Sequence, residues 1–464
     1  MNAAANALDN AMNPPKEVDT TAYANPDADK EKFADPSGEK MKALIWDGKY
    51  KVHVGEASKP KVVDAKDVVL KVTGSTVCGS DMHLFAGAIV ELRGGDILGH
   101  ECMGVVESVG PNVKDLKVGD RVVAGFNIGC GECYMCEKKL SSACIKTNNS
   151  ALMNTAYGGR TCGMLGYSHF TGGFAGCQAE YVRIPYGDAN CIKVPEGVAD
   201  EDALYISDSL TTSFHQVEDT GVKEGDIVGI WGVGVIGLMA GKWSILKGVK
   251  HLIAVDNVPW RLEYFKSHLE KDHPDVKIDL IDFNQVKDVP KKIHELTAGG
   301  EEGRPATRPP GLDVGLECAA GEYAKTWTHK LQMAVGLETD TPEILNEIIL
   351  STIGFGKIGI TGVYATFCNG LNIGSVMQRG IRLIGNGQAP THMYMERIMN
   401  DYIATGKVKP RELFVTHRIP IEDTATIYEH MRDRSEESKI IKTFVTTRFS
   451  APPAAGAPGL TKLE

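Results

Sequence analysis

The chain has 464 residues, more than one ordinary hydrophobic core accommodates, so two domains are expected. Its 42% apolar and 24% charged residues give it a globular texture, and a net charge of −10 speaks against a nucleic-acid partner, which would need a basic face. No run of about 18 apolar residues is there to span a membrane. The N-terminus lacks a secretory pattern and is too acidic for a mitochondrial presequence. The expected address is the cytoplasm, where eleven cysteines read as metal ligands or buried thiols rather than disulfides.

In chain order, residues 1–40 hold few large apolar side chains and read as a disordered arm. The Pro/Ala/Gly-rich stretch 449–464 reads as a disordered tail. From Met41 the texture changes. Lys42–Trp46, Val68–Val72, Met103–Gly110 and Val118–Val123 read as short strands between turns, with no sustained helical period, so 41–209 is a β-rich domain.

Residues 210–388 alternate strand and helix. Strands are expected at Asp226–Gly232, His251–Asp256, Ile278–Phe283, Leu312–Cys318, Lys357–Val363 and Ile381–Gly385. Helices are expected at Val235–Leu246, Trp260–Leu269, Val286–Leu296 and Glu343–Ile353. Six strands with crossover helices make a doubly wound parallel sheet, so the fold class is α/β plus β. A Gly/Pro/Arg-rich loop, Ala298–Gly311, and a longer insertion, Ala319–Pro342, interrupt the rhythm. Residues 389–448 return to the first domain with a helix at Met393–Ile403 and strands near Glu412–Val415 and Lys439–Val445.

Cys130-x2-Cys133-x2-Cys136-x7-Cys144 places four thiols in one short stretch. Four thiolates close a tetrahedral zinc site and leave no position for a substrate, so this site is structural. An iron–sulfur cluster uses a similar spacing, but the Pro that follows the last Cys of the bacterial motif is missing here. The remaining cysteines read as small buried residues.

A second metal site draws on distant segments. Cys78, His100 and Asp208 offer a thiolate, an imidazole and a carboxylate, which suits a catalytic zinc with its fourth position open. Gly99 lets the backbone turn tightly before His100. Glu101 can support the ligands or bind transiently. Zinc at such a site lowers the pKa of an alcohol, and Ser80 and His83, just after Cys78, can carry the proton away.

Gly232-Val233-Gly234-Val235-Ile236-Gly237 follows a strand and opens a helix. Its Gly232, Gly234 and Gly237 fit the dinucleotide fingerprint, with Val235 and Ile236 opening the helix over the pyrophosphate. Asp256, at the end of the next strand, can accept from the ribose hydroxyls and repel a 2′-phosphate, which favours NAD over NADP. Arg261 reads as a solvated helix residue, with phosphate binding as the alternative.

Cys78-Gly-Ser-Asp-x-His83, Gly99-His100-Glu101, the four-cysteine stretch and the Gly232 fingerprint together resemble the zinc-containing medium-chain alcohol dehydrogenase family over roughly Met41–Thr447. Asp208 stands where alcohol dehydrogenase has a second Cys. That departure, and Phe174-Ala-Gly-Cys-Gln-Ala-Glu-Tyr-Val182, are similar to the glutathione-independent formaldehyde dehydrogenase and formaldehyde dismutase branch. The resemblance implies a GroES-like catalytic domain, a Rossmann NAD domain, two zinc ions per chain and a homo-oligomer, dimer or tetramer. It also implies that Thr212 touches the nicotinamide and that Phe126 lines the substrate pocket. The expected activity is hydride transfer between a small alcohol or aldehyde hydrate and NAD. Aldehyde dismutation and sorbitol-type polyol oxidation are the alternatives within the enzyme class, and a non-catalytic NAD-binding scaffold is the alternative outside it.

Overall fold

A computed structural model describes residues 18–298, 307–319, 341–364, 368–433 and 437–463. The chain forms two compact units, residues 1–211 with 390–464, and residues 212–389. No helix among the described residues is long and apolar enough to cross a membrane.

The first unit opens with β1 (Lys40–Gly48), β2 (Lys51–Ser58), β3 (Val68–Ser75), β4 (Cys102–Val109), β5 (Arg121–Ala124), β6 (Asn127–Ile128), β7 (Gly163–Met164), β8 (Tyr181–Ile184) and β9 (Cys191–Lys193). The second unit carries β10 (Ile227–Trp231), β11 (His251–Asp256), β12 (Lys277–Asp282), β13 (Leu312–Glu317), β14 (Thr352–Ile360) and β15 (Arg382–Gly385). The chain then returns to the first unit with β16 (Val415–Pro420) and β17 (Lys442–Thr446).

The second unit is one sheet in the order β12-β11-β10-β13-β14-β15, with every pairing parallel. That is the doubly wound order, and its strand order reverses beside β10, where the glycine fingerprint lies. β10 and β11 are buried along their whole length, as a strand covered on both faces must be. A helix missed in the sequence, Ile373–Arg379, links β14 to β15. Its signals were local: the Asn372 side chain caps the Ser375 N–H, and Gly380 ends the helix in the left-handed region.

The first unit is built on a sheet ordered β16-β17-β3-β4-β5-β9, with β8 also paired to β3. β4 buries Cys102, Met103, Gly104 and Val106, and of these Cys102 and Val106 join a core that continues through Phe126, Met164 and Phe174 to the four-cysteine stretch. The strand expected near Glu412–Val415 begins at Val415 as β16, and the residues before it form a short helix, Pro410–Leu413, whose first position Pro410 presets. The helix expected at Met393–Ile403 is broken into short 3-10, α and π turns.

Disorder up to Lys40 is corrected for residues 18–40, which pack on the first unit; residues 1–17 lie outside the described residues. Tyr23 stacks on Phe33 at 4.3 Å, and both are buried. The Thr21 N–H donates to Asp64 at 2.7 Å, and the Ala24 carbonyl accepts from the Ile97 N–H at 3.0 Å. The tail is likewise corrected for 449–463: the Thr461 N–H donates to the Arg418 carbonyl at 2.8 Å, and Arg418 donates to the Ala451 carbonyl. Low apolar content concealed both segments, because backbone and side-chain hydrogen bonds hold much of them.

The returning segment is anchored by His392, whose ring bonds Ser141 through Nδ1 and Asn190 through Nε2 at 2.7 Å. Burial holds the His392 pKa down at about 4, from 6.5. A folded pKa below the unfolded one means the unfolded chain binds more protons as pH falls from 6.5 toward 4. Stability should therefore drop across that window, by up to about 3 kcal/mol from this group. His392→Gln should flatten the acid limb of a urea-unfolding series relative to the parent protein.

Candidate active site and metal centres

Four thiols converge in the first unit. Cys130 and Cys136 sulfurs lie 3.9 Å apart, as do those of Cys133 and Cys144. Those separations are far beyond a disulfide bond and close to the edge of a zinc–sulfur tetrahedron, about 3.8 Å for bonds of about 2.3 Å. Hydrogen bonds from the neighbouring thiols, Cys130 first, pull Cys144 toward the thiolate, while Cys136 is pushed up by its bond to Cys130. Such crowding of sulfurs is relieved when a cation neutralises them, so the donor set fits zinc.

The second group is Cys78, His100, Glu101 and Asp208, all buried, with one ligand atom from each lying within 4.8 Å of the others. Cys78 precedes the helix Gly79–Phe85, His100 and Glu101 precede β4, and Asp208 ends a 3-10 turn. Asp208 Oδ2 stands 3.3 Å from His100 Nε2 and 4.0 Å from Cys78 Sγ. His100 Nε2 is buried without a hydrogen-bond partner. A buried, inward-facing ring nitrogen with a thiol and a carboxylate beside it is the donor set zinc takes.

Asp81 orients this group. Its Oδ1 accepts from His100 Nδ1 at 3.1 Å, and its Oδ2 accepts from the Cys78 N–H at 2.8 Å and from Gln178 Nε2 at 3.1 Å. The bond to Nδ1 turns Nε2 inward, toward Cys78 and Asp208. Gln178 is held in turn by the Tyr428 hydroxyl at 2.8 Å. Burial opposes charge on His100, yet Asp81, Tyr167 and Asp208 raise its pKa well above 6.5. Glu101 Oε1 pairs with the buried Lys442, and its Oε2 accepts from the Ser209 hydroxyl at 3.0 Å. Burial would lower the Lys442 pKa, but Cys78, Glu101 and Asp208 together raise it.

The segments meet through bare backbone. Gly99 has φ +98°, and a Cβ there would lie 2.6 Å from the Gln178 nitrogen. A Cβ on Gly166 would lie 2.1 Å from the Gly99 carbonyl oxygen. Larger residues at either position would push apart the segments that carry His100 and Gln178.

Ser80 Oγ lies 3.6 Å from Cys78 Sγ. His83 falls in the last turn of the same helix, half-buried. The Phe126 ring is 6.1 Å from that of His100 and belongs to the core. Thr212 is the first residue of the second unit and lies in the helix Ser209–Thr220. Sequence reasoning assigned no role to Asp81, Gln178, Tyr167 or Lys442. Asp81 had a signal, three positions after Cys78 at a helix start; Tyr167 and Lys442 had none.

In the second unit Gly232 has φ +85°, and a Cβ on Gly237 would lie 2.0 Å from the Gly232 carbonyl oxygen. Around the missing Cβ of Gly234 there is open space at the start of the helix Val235–Leu246. One glycine turns the chain, one packs helix on strand, and the middle one leaves room for a phosphate. Asp256 Oδ2 accepts from the Val233 N–H at 2.8 Å, and Oδ1 accepts from Asn257 at 2.7 Å and Val258 at 3.0 Å. Its carboxylate is thus fixed at the end of β11. The Arg261 guanidinium lies 5.3 Å from the Trp260 ring centroid.

A parallel sheet of doubly wound order with a glycine turn, and a β-rich unit with two metal-type clusters, define a zinc-dependent nicotinamide oxidoreductase fold. Comparison with known proteins agrees. Residues 64–196 match the family model described as alcohol dehydrogenase GroES-like domain. A zinc-type alcohol dehydrogenase-like protein of Schizosaccharomyces pombe is 38% identical over 398 residues, covering 86% of this chain and 89% of that protein. The glutathione-independent formaldehyde dehydrogenase of Pseudomonas aeruginosa is 32% identical over 338 residues, covering 70% of this chain and 75% of its own. The solved alcohol dehydrogenase of Thermus sp. ATN1 has a TM-score of 0.69 and 26% identity, over 88% of this chain and 100% of that one. The chain belongs to the zinc-containing medium-chain alcohol dehydrogenase family. Membership implies an oxidoreductase acting on a small molecule, with zinc and a nicotinamide dinucleotide.

Asp81→Asn should lower metal affinity at the Cys78 group about 10- to 100-fold, through loss of the imidazole's partner. Metal analysis of zinc-loaded protein after limited chelation should then find the variant losing more zinc than the parent protein.

Proposed function

We propose that this protein is an NAD-dependent dehydrogenase of small primary alcohols or hydrated formaldehyde, with two zinc ions per chain. The observation that carries the reading is the convergence of Cys78, His100, Glu101 and Asp208, with Asp81 behind the imidazole. Bound zinc supplies Lewis acidity toward a substrate oxygen, and NAD accepts the hydride.

Cys78, His100 and Asp208 hold the catalytic metal. Lys442 and Ser209 bond Glu101, the fourth member of the group and its second carboxylate. Ser80, its hydroxyl next to the Cys78 sulfur, takes the alcohol proton, and His83 releases it from the same helix. Phe126 provides an apolar wall by His100, and Thr212 positions the nicotinamide. Cys130, Cys133, Cys136 and Cys144 hold the structural zinc.

Gly232, Gly234 and Gly237 seat the pyrophosphate, with Val235 and Ile236 opening the helix above it. Three backbone N–H bonds already fill much of the Asp256 acceptor capacity, and one side of Oδ2 is left for a ribose hydroxyl. Arg261, beside Trp260, is the residue that would hold a 2′-phosphate if NADP were the cofactor instead.

Zinc-loaded protein should reduce NAD with small primary alcohols or hydrated formaldehyde. Ser80→Ala should lower kcat about 100-fold with both metals retained. Inertness toward all such substrates at full metal content defeats the reading. Equal yields of alcohol and acid without added NAD would make it a dismutase instead. Asp256→Ser should weaken NAD and strengthen NADP, shifting the ratio of their kcat/KM values at least tenfold, because the like charge facing a 2′-phosphate is gone; steady-state assays with each cofactor read the ratio.

A further inference from the structure

The Gly232 turn and Asp256 account for one half of the dinucleotide site, and Glu317 stands under the other half. It is the last residue of β13, in register with Trp231 of β10 on one side and Ile360 of β14 on the other. Its side chain is fully buried, at 0% exposure. Oε1 accepts from the Ala319 N–H at 2.8 Å, just past the end of β13, and Oε2 accepts from the Gly362 N–H at 2.8 Å, just past the end of β14. One carboxylate thus ties together the first residues that leave two neighbouring strands. The Thr361 N–H adds a link to the Glu317 carbonyl at 3.0 Å, and Gln216 Nε2 donates to the same carbonyl at 2.9 Å.

In a doubly wound sheet a dinucleotide lies across the carboxyl ends of the strands, at the point where the strand order reverses. With the adenosine ribose at Asp256, on β11, and the pyrophosphate at the Gly232 turn, after β10, the remaining half extends toward β13 and β14. Ala319 adjoins the pyrophosphate turn, since a Cβ on Gly232 would lie 2.9 Å from the Ala319 Cα. The turn has supports of its own on the β11 side. The Gly232 N–H donates to the Val255 carbonyl at 2.9 Å, and the Val233 N–H donates to Asp256 at 2.8 Å. The adenosine half is therefore held without Glu317. We infer that Glu317 is a positioning residue for the nicotinamide half of the cofactor, acting through the Ala319 and Gly362 backbone. This rests on the assignment of NAD as cofactor made above.

Glu317→Gln keeps the shape of the side chain, but its amide offers one acceptor oxygen and one NH2 group. Only one of the two backbone N–H groups then keeps its partner, and the other faces a donor. Glu317→Asp is one methylene shorter, so it still reaches the N–H two residues on and no longer reaches Gly362. In calorimetric titrations of the full-length, zinc-loaded protein, both variants should bind NADH about tenfold more weakly than the parent, on the scale of one lost hydrogen bond. Both should bind AMP, which spans only the adenosine half, as the parent does. A residue that merely stabilised the fold would leave both affinities of the folded protein unchanged or weaken both together. Unchanged NADH affinity in the folded variants, or equal losses for NADH and AMP, would overturn the proposal. If Glu317→Gln does not fold, Glu317→Asp carries the same test. If the parent binds NADH but oxidises no alcohol, the proposed activity fails and the titrations still decide the role of Glu317. If the parent binds no nicotinamide dinucleotide, both fall.

Discussion

One buried carboxylate holds the candidate active site together. Asp81 accepts hydrogen bonds from the Cys78 backbone, the His100 ring and the Gln178 amide, and so ties a helix start, the turn before β4 and the approach to β8 to one point. A carboxylate at 0% exposure is stable only while such donors surround it. The need to satisfy Asp81 and the need to aim His100 Nε2 are therefore met by the same contact. A change that frees any of the three donors leaves a buried charge underbonded and turns a ligand at the same time.

The two metal clusters are built on opposite principles. The four-cysteine site comes from one short segment, and its geometry follows from two-residue gaps and a local turn. The Cys78 site takes its donors from three separate segments, with Asp208 lying 130 residues beyond Cys78, and depends on the sheet register that sets β3 against β4 and on the glycine contacts of Gly99 and Gly166. A local site can form early and stabilise its own lobe. A distributed site exists only once the unit has folded, so its metal affinity reports the whole of that packing.

Charge is handled by pairing rather than by exposure. Glu101 with Lys442 and Glu201 with Arg418 are ion pairs at near-complete burial in the first unit. Such pairs add little net stability, but removing one partner is costly, because the other charge is stranded. In the Glu101–Lys442 pair this rigidity serves the site: it fixes which carboxylate, Asp208 or Glu101, faces the His100 nitrogen.

The chain by itself determined a good deal. The spacing of Cys130, Cys133, Cys136 and Cys144, the Gly232 fingerprint and the strand–helix alternation that follows it are local patterns, and local patterns survive translation into structure because backbone geometry alone enforces them. Cys78, His100 and Asp208 were legible as residue types, from motif and resemblance rather than from any periodicity. Only the tertiary structure decided that Asp81, Gln178 and Lys442 stand behind those ligands, that Tyr167 packs edge-on against His100, and that residues 18–40 and 449–463 pack rather than wander. Those facts concern contacts across long stretches of chain, made by hydrogen bonds whose donors and acceptors look ordinary in sequence. A buried polar group declares its partner only when folding removes the water that would otherwise have bound it.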